Sequence, residues 1–320
     1  MAYWIGADEA GYGPNLGPLL IGVSVWHVPD TYADMDLYDV LQKVVTRQPR
    51  ESQLWAIADS KQLHRAGELE ASPLETGVLM GLAQIGQLPE TWHALWNCTT
   101  GEAAQEMRKV PWYRDFPGVS LKVPRLWQSS AWQENWRRIT QDTDISLCSL
   151  RAVPVWTHQL NQGLEQQGSK GAVLSHTTLD LVASVISELP DDEPIRVICD
   201  KHGGRSHYAG LLQSRFGDRL VRVLEESRAR SVYDVGSAAR AIEISFRVGG
   251  EAFLPSALAS MLAKYLREQA MRAFNAYWAQ QVPGLRPTAG YPVDAKRFKH
   301  EIAATQYRLG IADNWLWRNR

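Results

Sequence analysis

The apolar and polar positions of this sequence fall into short runs typical of strands and longer runs with helical spacing. Residues 3–10 (YWIGADEA) and 19–28 (LLIGVSVWHV) are rich in β-forming residues and are separated by glycine and proline, which predicts a hairpin. The short apolar runs 194–200 (PIRVICD) and 219–227 (RLVRVLEES) predict two further strands.

Four segments carry helical signals. Apolar residues between 172 and 189 recur at three- and four-residue intervals, and shorter helices are predicted over 34–47 and 207–216. The last clear helix is predicted to begin at about Ser256, which would cap it after Pro255. Because strands and helices alternate without internal repeats, the sequence predicts an α/β fold.

Composition divides the chain into three parts. Strand and helix signals alternate in residues 1–63 and 151–320, whereas residues 64–150 are rich in tryptophan and interrupted by prolines. We interpret 1–63 as the first part of a core, 64–150 as an inserted subdomain, and 151–320 as the second part of the core with a C-terminal helical region. For the tryptophans of the insertion, packing is favoured over stacking on nucleic-acid bases.

Composition also argues against a membrane-spanning or disulfide-stabilised protein. No run approaches the roughly 20 uncharged apolar residues that cross a bilayer, and the N-terminal residues lack the features of a secretory signal. The cysteines, Cys98, Cys148 and Cys199, match no metal-binding spacing and no disulfide framework. We therefore expect a cytoplasmic protein.

Charge is distributed unevenly along the chain. The formal net charge is −10 for residues 1–200 and +9 for residues 201–320, which combine to the −1 of the whole chain. A difference of this size suggests a basic surface suited to a polyanion. The alternative is that both signs belong to solvated faces of one domain.

Two adjacent acids, Asp8 and Glu9, follow the first apolar run and precede the glycine- and proline-rich residues 11–18. The spacing of these glycines differs from that of a dinucleotide-binding loop, and the acids would repel a pyrophosphate. Adjacent side chains on a strand point to opposite faces, so the two acids could share one ion only if the strand twists or ends there.

A third acid, Asp200, ends the apolar run RVIC and would lie beside Asp8 if the two strands are neighbours. Clusters of carboxylate oxygens suit Mg²⁺ or Mn²⁺. Two such ions can activate a water molecule and stabilise the leaving oxygen of a phosphodiester. Each acid alone fits a solvated or capping role, but together they indicate metal-dependent phosphodiester chemistry.

Five motifs occur in the order in which they occur in the type 2 ribonucleases H, the family of bacterial ribonuclease HII, and the sequence resembles that family. DEAGYGPNLGPL (8–19) is similar to its DEAGRGPLAGP signature, and ADSKQL (58–63) to its DDSKKL segment. VICD (197–200), ASMLAK (259–264) and GYP (290–292) are similar to its strand that ends in aspartate, its ASILAK helix and its GYPT or GYGT turn. The resemblance implies a ribonuclease H-like fold, with a mixed central sheet flanked by helices and residues 64–150 as a large insertion.

Four acids hold the metal ions in that family. The resemblance assigns the first three to Asp8, Glu9 and Asp200. The fourth is normally an aspartate four residues before a proline, and Glu251 stands four residues before Pro255. Glu243 and Asp234 are alternatives, although neither fits that spacing. The implied cofactor is a pair of Mg²⁺ or Mn²⁺ ions.

The resemblance also implies a set of residues that contact nucleic acid. They are Gly11, Tyr12, Gly13, Asp59, Ser60, Lys61, Ser260, Lys264 and Tyr291. Ser260 and Lys264 are four residues apart and therefore share one helix face. Tyr12 replaces an arginine of the family, which removes a positive charge near the phosphates. Tyr291 matches the tyrosine that senses the 2′-hydroxyl, the group that distinguishes RNA from DNA.

Three residues next to Asp200 complete these expectations. Lys201 and Arg205 are expected to add to a basic face. His202 is interpreted as a packing or surface residue and is not placed among the catalytic residues.

The activity implied by the resemblance is endonucleolytic hydrolysis of the RNA strand of an RNA–DNA hybrid, leaving 5′-phosphate and 3′-hydroxyl ends. Because of Tyr12 and the insertion, an alternative function is that of a nuclease acting on another structured nucleic acid. A third is a non-catalytic nucleic-acid-binding relative, which is disfavoured because unneeded buried carboxylates cost stability. Each reading implies a nucleic-acid partner and no membrane.

Overall fold

The computed structural model describes residues 1–48, 53–58, 72–217 and 219–319. In this part of the chain the main sheet has seven strands, in the spatial order β5-β2-β1-β6-β9-β8-β7. The strands are β1 (Ala2–Ala10), β2 (Leu19–Val28), β5 (Ser146–Val155), β6 (Ile195–Asp200), β7 (Arg222–Glu226), β8 (Arg230–Asp234) and β9 (Ile242–Arg247). Two short strands, β3 (Val45–Thr46) and β4 (Trp55–Ala56), form a separate parallel pair.

Strand directions make the main sheet mixed. β1, β6 and β9 are parallel, β2 and β5 continue the sheet with antiparallel pairing on one side, and β8 and β7 do so on the other. The predicted hairpin of β1 and β2 is confirmed. A mixed central sheet flanked by helices is the architecture that the sequence resemblance implies, so the predicted fold class is confirmed.

The helices of the described residues lie between and after these strands. They are α1 (Leu37–Val40), α2 (Pro73–Gln84), α3 (Trp92–Thr100), α4 (Pro111–Arg114), α5 (Ser130–Thr143), α6 (Thr157–Gln167), α7 (Lys170–Glu188), α8 (Ala209–Arg215), α9 (Leu254–Gln281), α10 (Pro292–Arg308) and α11 (Asp313–Leu316). Short 3₁₀ segments occur at Asp30–Tyr32, Gly101–Lys109 and Gly250–Ala252.

Two helix predictions were wrong in detail. The helix predicted over 34–47 is a single turn, because the chain leaves α1 to form β3. Helix α9 begins two residues before Ser256, with Phe253 as its N-cap. The Ser256 hydroxyl instead donates to the Ile198 carbonyl at 3.0 Å, so it joins α9 to strand β6.

The sheet has an apolar cluster on each face because successive side chains of a strand alternate between faces. Ile5 and Ala7 of β1 pack on one face with residues of α7 and α8. Trp4 packs on the other face with residues of α9. Helix α9 therefore covers the face that carries the even-numbered residues of β1.

The tryptophans of the predicted insertion belong to the cluster on the α9 face. Trp92, Trp96, Trp112 and Trp132 are buried there, and Trp127 and Trp136 pack against it half-buried. Packing, which was favoured for them, is what the structure shows. Strand β5 begins at Ser146 and pairs with β2, so residues 146–150 are part of the central sheet although the predicted insertion runs to residue 150.

Among the described helices, none combines the length and the apolar character needed to span a membrane.

Candidate active site

Asp8 and Asp200 lie side by side on one face of the sheet, on the neighbouring parallel strands β1 and β6, and Asp200 is the last residue of β6. In the register of β1 and β6, Ala7 is opposite Cys199, and the two acids are the next residues along their strands. Both follow the alternation that puts Trp4 on the α9 face, so their carboxyl groups point towards α9. The two strands are thus neighbours, which is the condition that the sequence left open for placing Asp200 beside Asp8.

Glu9 does not follow the end of a strand. Strand β1 continues through both acids to Ala10, with Asp8 opposite Gly22 and Glu9 opposite Ile21 of β2. Alternation alone would direct Glu9 to the opposite face from Asp8, but its carboxyl lies close enough to Asp8 and Asp200 for both to raise its pKa. The Glu9 backbone N–H donates to Oδ1 of Asp8 at 2.8 Å, which fixes the Asp8 carboxyl at the strand.

Helix α9 reaches Asp8 because two glycines allow backbone contact with the sheet. A Cβ at Gly22, the partner of Asp8 across the strands, would stand 2.3 Å from the Ala259 carbonyl oxygen. A Cβ at Gly6 would stand 2.1 Å from the backbone of Pro255. This close crossing brings Ser260 and Lys264, one turn apart on α9, into the neighbourhood of the acids.

Burial and neighbouring acidic charges raise the pKa values of Asp8 and Glu9. Burial is the main cause that raises the pKa of Asp8 to about 6, and the charge of Asp200 adds to the rise. The pKa of Glu9 is raised to about 8, first by burial and then by the charges of Asp8 and Asp200. Their ionised forms are therefore costly in the folded protein.

Two side chains of α9 oppose the rise at Asp8. The Ser260 hydroxyl and the Lys264 ammonium both favour the ionised carboxylate. Ser260 Oγ lies beside Asp8, is buried and makes no hydrogen bond of good geometry within the described structure. Its hydroxyl can therefore still donate a hydrogen bond. The predicted phosphate-contacting face of this helix thus points at the acids.

Glu251 lies in the 3₁₀ turn Gly250–Ala252 that follows β9. The preceding Gly250 packs on the Asp200 backbone, and its N–H donates to Oδ1 of Asp200 at 3.0 Å. Oε2 of Glu251 is 3.6 Å from Nζ of Lys264, and both side chains are half-buried. Lys264 therefore supplies positive charge to both Asp8 and Glu251.

The alternative acids lie at the other end of β9. Glu243 is opposite Arg196 of β6, four residues before Asp200, which corresponds to about 13 Å along a strand. Asp234 is opposite Glu243 and is bound by Arg222 and the Gly236 N–H. This separation leaves Glu251 as the acid that can accompany Asp200.

The carboxylates fit a divalent cation by their chemistry. All are hard oxygen donors, and the raised pKa values of Asp8 and Glu9 show charged forms that a cation would stabilise. Across the described ranges, no three His, Cys, Asp or Glu side chains are grouped closely enough to form a metal site. The residues that would hold the ions therefore stay a proposal.

The glycine-rich loop between β1 and β2 carries the residues predicted to approach substrate. Gly13 is exposed and has open space where a Cβ would stand. The carbonyl of Gly290 accepts the N–H groups of Asn15 and Leu16, so Tyr291 follows directly on a segment bound to this loop. The Tyr291 side chain is 58% exposed and is accessible beside the loop.

Tyr12 packs against backbone where the resembled family carries arginine. A Cβ at Gly203 would stand 3.0 Å from the Tyr12 hydroxyl oxygen, and one at Gly171 would stand 3.5 Å from it. The ring therefore lies between the start of α7 and the turn after β6. This packing gives a structural reason for tyrosine here, and the site loses the arginine's charge.

The two residues that follow Asp200, Lys201 and His202, are both buried. Lys201 is buried and donates to the Ser227 carbonyl at 2.7 Å and to Ser231 at 3.0 Å, so the prediction that it adds to a basic face was wrong. His202 is a packing residue: it is buried, its Nδ1 is 3.0 Å from Ser175 Oγ, and burial lowers its pKa to about 3. Asp59, Ser60 and Lys61 lie outside the described residues.

Part of the positive charge of residues 201–320 is buried. Lys201, Arg240, Arg267 and Arg318 are each at most 8% exposed, and all donate to backbone carbonyls. The charge difference between the two parts of the chain therefore overstates the basic surface. The contact of Arg318 with the glycine-rich loop was not predicted, because the segment around Arg318 carries no motif.

No protein-family model and no curated protein matches this sequence. Over nearly its whole length the chain is similar to type 2 ribonucleases H of known structure. It is similar to a chain of the PCNA:RNase HII complex from Archaeoglobus fulgidus, with 13% identity, a TM-score of 0.45, and coverage of 99% of this chain and 94% of that one.

It is also similar to ribonuclease H2 from Pyrococcus horikoshii OT3, with 15% identity, a TM-score of 0.43, and coverage of 98% and 92%. A third similar structure is Bst-RNase HIII in complex with Mn²⁺, with 13% identity, a TM-score of 0.42, and coverage of 99% of this chain and 66% of that one. At these identities and TM-scores the activity of this chain has to be argued from its own residues.

Proposed function

We propose that this chain is a type 2 ribonuclease H-like endonuclease that hydrolyses the RNA strand of RNA–DNA hybrids with the help of Mg²⁺ or Mn²⁺. The observation that carries the proposal is the position of Asp8 and Asp200 on one sheet face, on neighbouring parallel strands, with the charges of both raising the pKa of Glu9. Motif order in the sequence supports the same reading.

The proposed ligands of two divalent ions are Asp8, Glu9, Asp200 and Glu251. When bound, such ions supply a nucleophilic water and stabilise the charge that develops on the leaving oxygen. In the reaction, a water oxygen forms a bond to phosphorus and the bond from phosphorus to the 3′-oxygen breaks. The 3′-oxygen leaves as a hydroxyl, so the other product carries a 5′-phosphate.

The chain's own side chains have separate parts in this proposal. Lys264 supports the ionised form of Asp8 and lies 3.6 Å from Glu251, so it holds positive charge among the proposed ligands. Ser260 offers a hydroxyl donor, Gly13 leaves room for close approach of a nucleic-acid backbone, and Gly11 is a further proposed backbone contact. Tyr12, Asp59, Ser60, Lys61 and Tyr291 are the further proposed contacts.

The experiment is cleavage of a labelled RNA–DNA hybrid in Mg²⁺ or Mn²⁺ by the wild type and by Asp8→Asn. We expect the variant to fold and to lose at least 100-fold in activity, which is the order of effect for removing an electrostatic catalytic group. Glu243→Gln is the matched control, because Glu243 lies on the same sheet but at the far end of β9. Equal cleavage by Asp8→Asn and the wild type contradicts the proposal.

A second candidate function is cleavage of another structured nucleic acid, which the uncharged Tyr12 favours. The choice of substrate distinguishes it from cleavage of RNA–DNA hybrids. Because the loop lacks the family's arginine, we expect hybrids with several ribonucleotides to be cut better than a duplex with one embedded ribonucleotide. Preferred cleavage of duplex DNA or duplex RNA would favour a nuclease for another structured nucleic acid. Binding of the hybrid without cleavage would favour a non-catalytic relative.

A further inference from the structure

Two buried arginines lie beneath the loop of residues 11–18. Arg318 is fully buried and Arg267 is 8% exposed. Within the described chain, every hydrogen bond of their guanidinium groups goes to a backbone carbonyl, and neither makes an ion pair with a carboxylate. Buried charges are normally paired with an opposite charge, so this arrangement needs a reason.

Arg318 joins the two ends of the loop. Its Nε donates to the Gly17 carbonyl at 2.8 Å, and its Nη1 donates to the carbonyls of Gly11 and of Pro14, the latter at 3.2 Å. Its backbone N–H also donates to the Asn15 carbonyl at 3.0 Å. One residue, distant in sequence, thus holds four carbonyls of the loop.

Arg267 holds the same loop from helix α9. It donates to the carbonyl of Pro18 at 3.0 Å and to that of Leu16 at 3.3 Å. A Cβ at Gly11 would stand 2.8 Å from Arg267 Cδ, and Gly11 has a φ of +87°, so this loop position needs glycine. The loop is therefore tied to the helix that carries Ser260 and Lys264.

The segment around Arg318 is itself anchored. The Asn161 side chain of α6 donates to the carbonyls of Asn314 at 3.2 Å and Trp317 at 2.9 Å, and accepts the Asn319 N–H at 2.7 Å. Arg318 is thus held on both sides along the chain. Its guanidinium is presented to the loop in a fixed orientation.

The arrangement is expensive for stability alone. Burial, followed by repulsion from Arg267, lowers the pKa of Arg318 to about 9. Nη2 of Arg318 is buried without a hydrogen-bond partner in the described structure. Apolar residues of similar volume often replace buried charges without loss of stability, so these arginines serve more than packing.

We propose that Arg318 is a positioning residue for substrate. By binding the inward carbonyls of residues 11, 14, 15 and 17, it fixes the loop whose outer side would meet a nucleic-acid backbone. With Arg267 it also places two uncompensated positive charges beneath that loop. This inference rests on the proposed function for the identity of the substrate.

The test compares Arg318→Lys and Arg318→Met with Arg308→Met. Lysine keeps the charge but loses the planar fork, and methionine loses both. Arg308 is exposed and serves as the control for loss of one arginine. For each protein we would measure hydrogen exchange of the peptide containing residues 11–18, and the affinity for an RNA–DNA hybrid in EDTA by fluorescence anisotropy.

In both Arg318 variants we expect residues 11–18 to exchange faster than in the wild type. Exchange in the strands of the sheet is expected to change less. We expect the Kd for the hybrid to rise about tenfold in Arg318→Lys and further in Arg318→Met, with no change in Arg308→Met. Where cleavage is measurable, KM rises and kcat of Arg318→Lys stays within about threefold of wild type.

The inference is overturned if loop exchange and affinity are unchanged in both variants, or if exchange rises equally in all peptides. Failure of the proposed nuclease function is a separate result. In that case the wild type binds the hybrid without cutting it, while the exchange and anisotropy measurements still decide the role of Arg318.

Discussion

Replacing Asp8 with asparagine removes one negative charge from the group formed by Asp8, Glu9 and Asp200 while keeping the side-chain shape. In the wild type the pKa of Asp8 is raised from 3.8 to about 6, mainly by burial. An acid whose pKa is higher in the folded than in the unfolded state destabilises the fold wherever it is ionised. Asp8→Asn should therefore be more stable than the wild type in the absence of divalent cations.

The size of the effect follows from the shift. About two pKa units correspond to roughly 3 kcal/mol, which we reduce to about 2 kcal/mol because the Asp8 side chain is half-buried and partly solvated. For a chain of this length, 2 kcal/mol corresponds to a rise in Tm of about 3 °C. The penalty develops between the unfolded and the folded pKa, so it is complete above pH 6 and fades towards pH 4.

The assay is thermal unfolding in EDTA at pH 7.5 and pH 4.5, with Glu243→Gln as the control for loss of an acid on the same sheet. We expect Asp8→Asn to melt higher than the wild type at pH 7.5 and nearly the same at pH 4.5. Added Mn²⁺ should raise the Tm of the wild type more than that of the variant, because binding to the folded state stabilises it.

A lower or equal Tm of Asp8→Asn at pH 7.5 would refute the reasoning about a destabilising carboxylate group. So would a gain in stability that grows as the pH falls, since protonation of Asp8 removes the charge that the substitution removes. Equal stabilisation of both proteins by Mn²⁺ would exclude Asp8 as a ligand.

Three further substitutions separate packing from substrate contact. Gly22→Ala places a Cβ 2.3 Å from the Ala259 carbonyl, so we expect a loss of about 1–3 kcal/mol in urea unfolding, together with reduced cleavage, because α9 must move away. In Gly13→Ala the new Cβ meets no atom within 4 Å, so the free energy of unfolding should change by no more than about 0.5 kcal/mol. The affinity for the hybrid should fall, and an unchanged affinity would show that no nucleic-acid backbone approaches Gly13. Lys264→Met removes a charge that favours ionised Asp8, so the acidic limb of the pH–activity profile should move to higher pH, and an unmoved limb would contradict that coupling.

The packing roles of the tryptophans and of His202 could be predicted from the sequence. The tryptophans of residues 64–150 were favoured as packing residues, and they lie in the cluster beneath α9. His202 was kept out of the catalytic set, and it is buried against Ser175. The exposure predicted for Lys201 was wrong, because the fold brings the Ser227 carbonyl and the Ser231 hydroxyl to its ammonium group.

For the acids, too, the sequence predicted one part of the arrangement and the structure decided the rest. The sequence placed Asp8 and Asp200 on two predicted strands, and the structure shows that these strands are parallel neighbours. The predicted strand run 3–10 included both acids, and pairing with β2 carries β1 through them to Ala10. The choice of Glu251 over Glu243 as the fourth proposed metal ligand likewise depends on the register of β6 and β9.

The sequence by itself determined the α/β class, the first hairpin, the strand of Asp200 and the long helix of Ser260 and Lys264, because these depend on local patterns of apolar residues, glycine and proline. Only the tertiary structure decided which acids face α9, where Tyr12 packs, and that Arg318 lies beneath the loop of residues 11–18. The physical reason is that buried polar groups must find partners, and those partners come from segments up to 307 residues away in the chain.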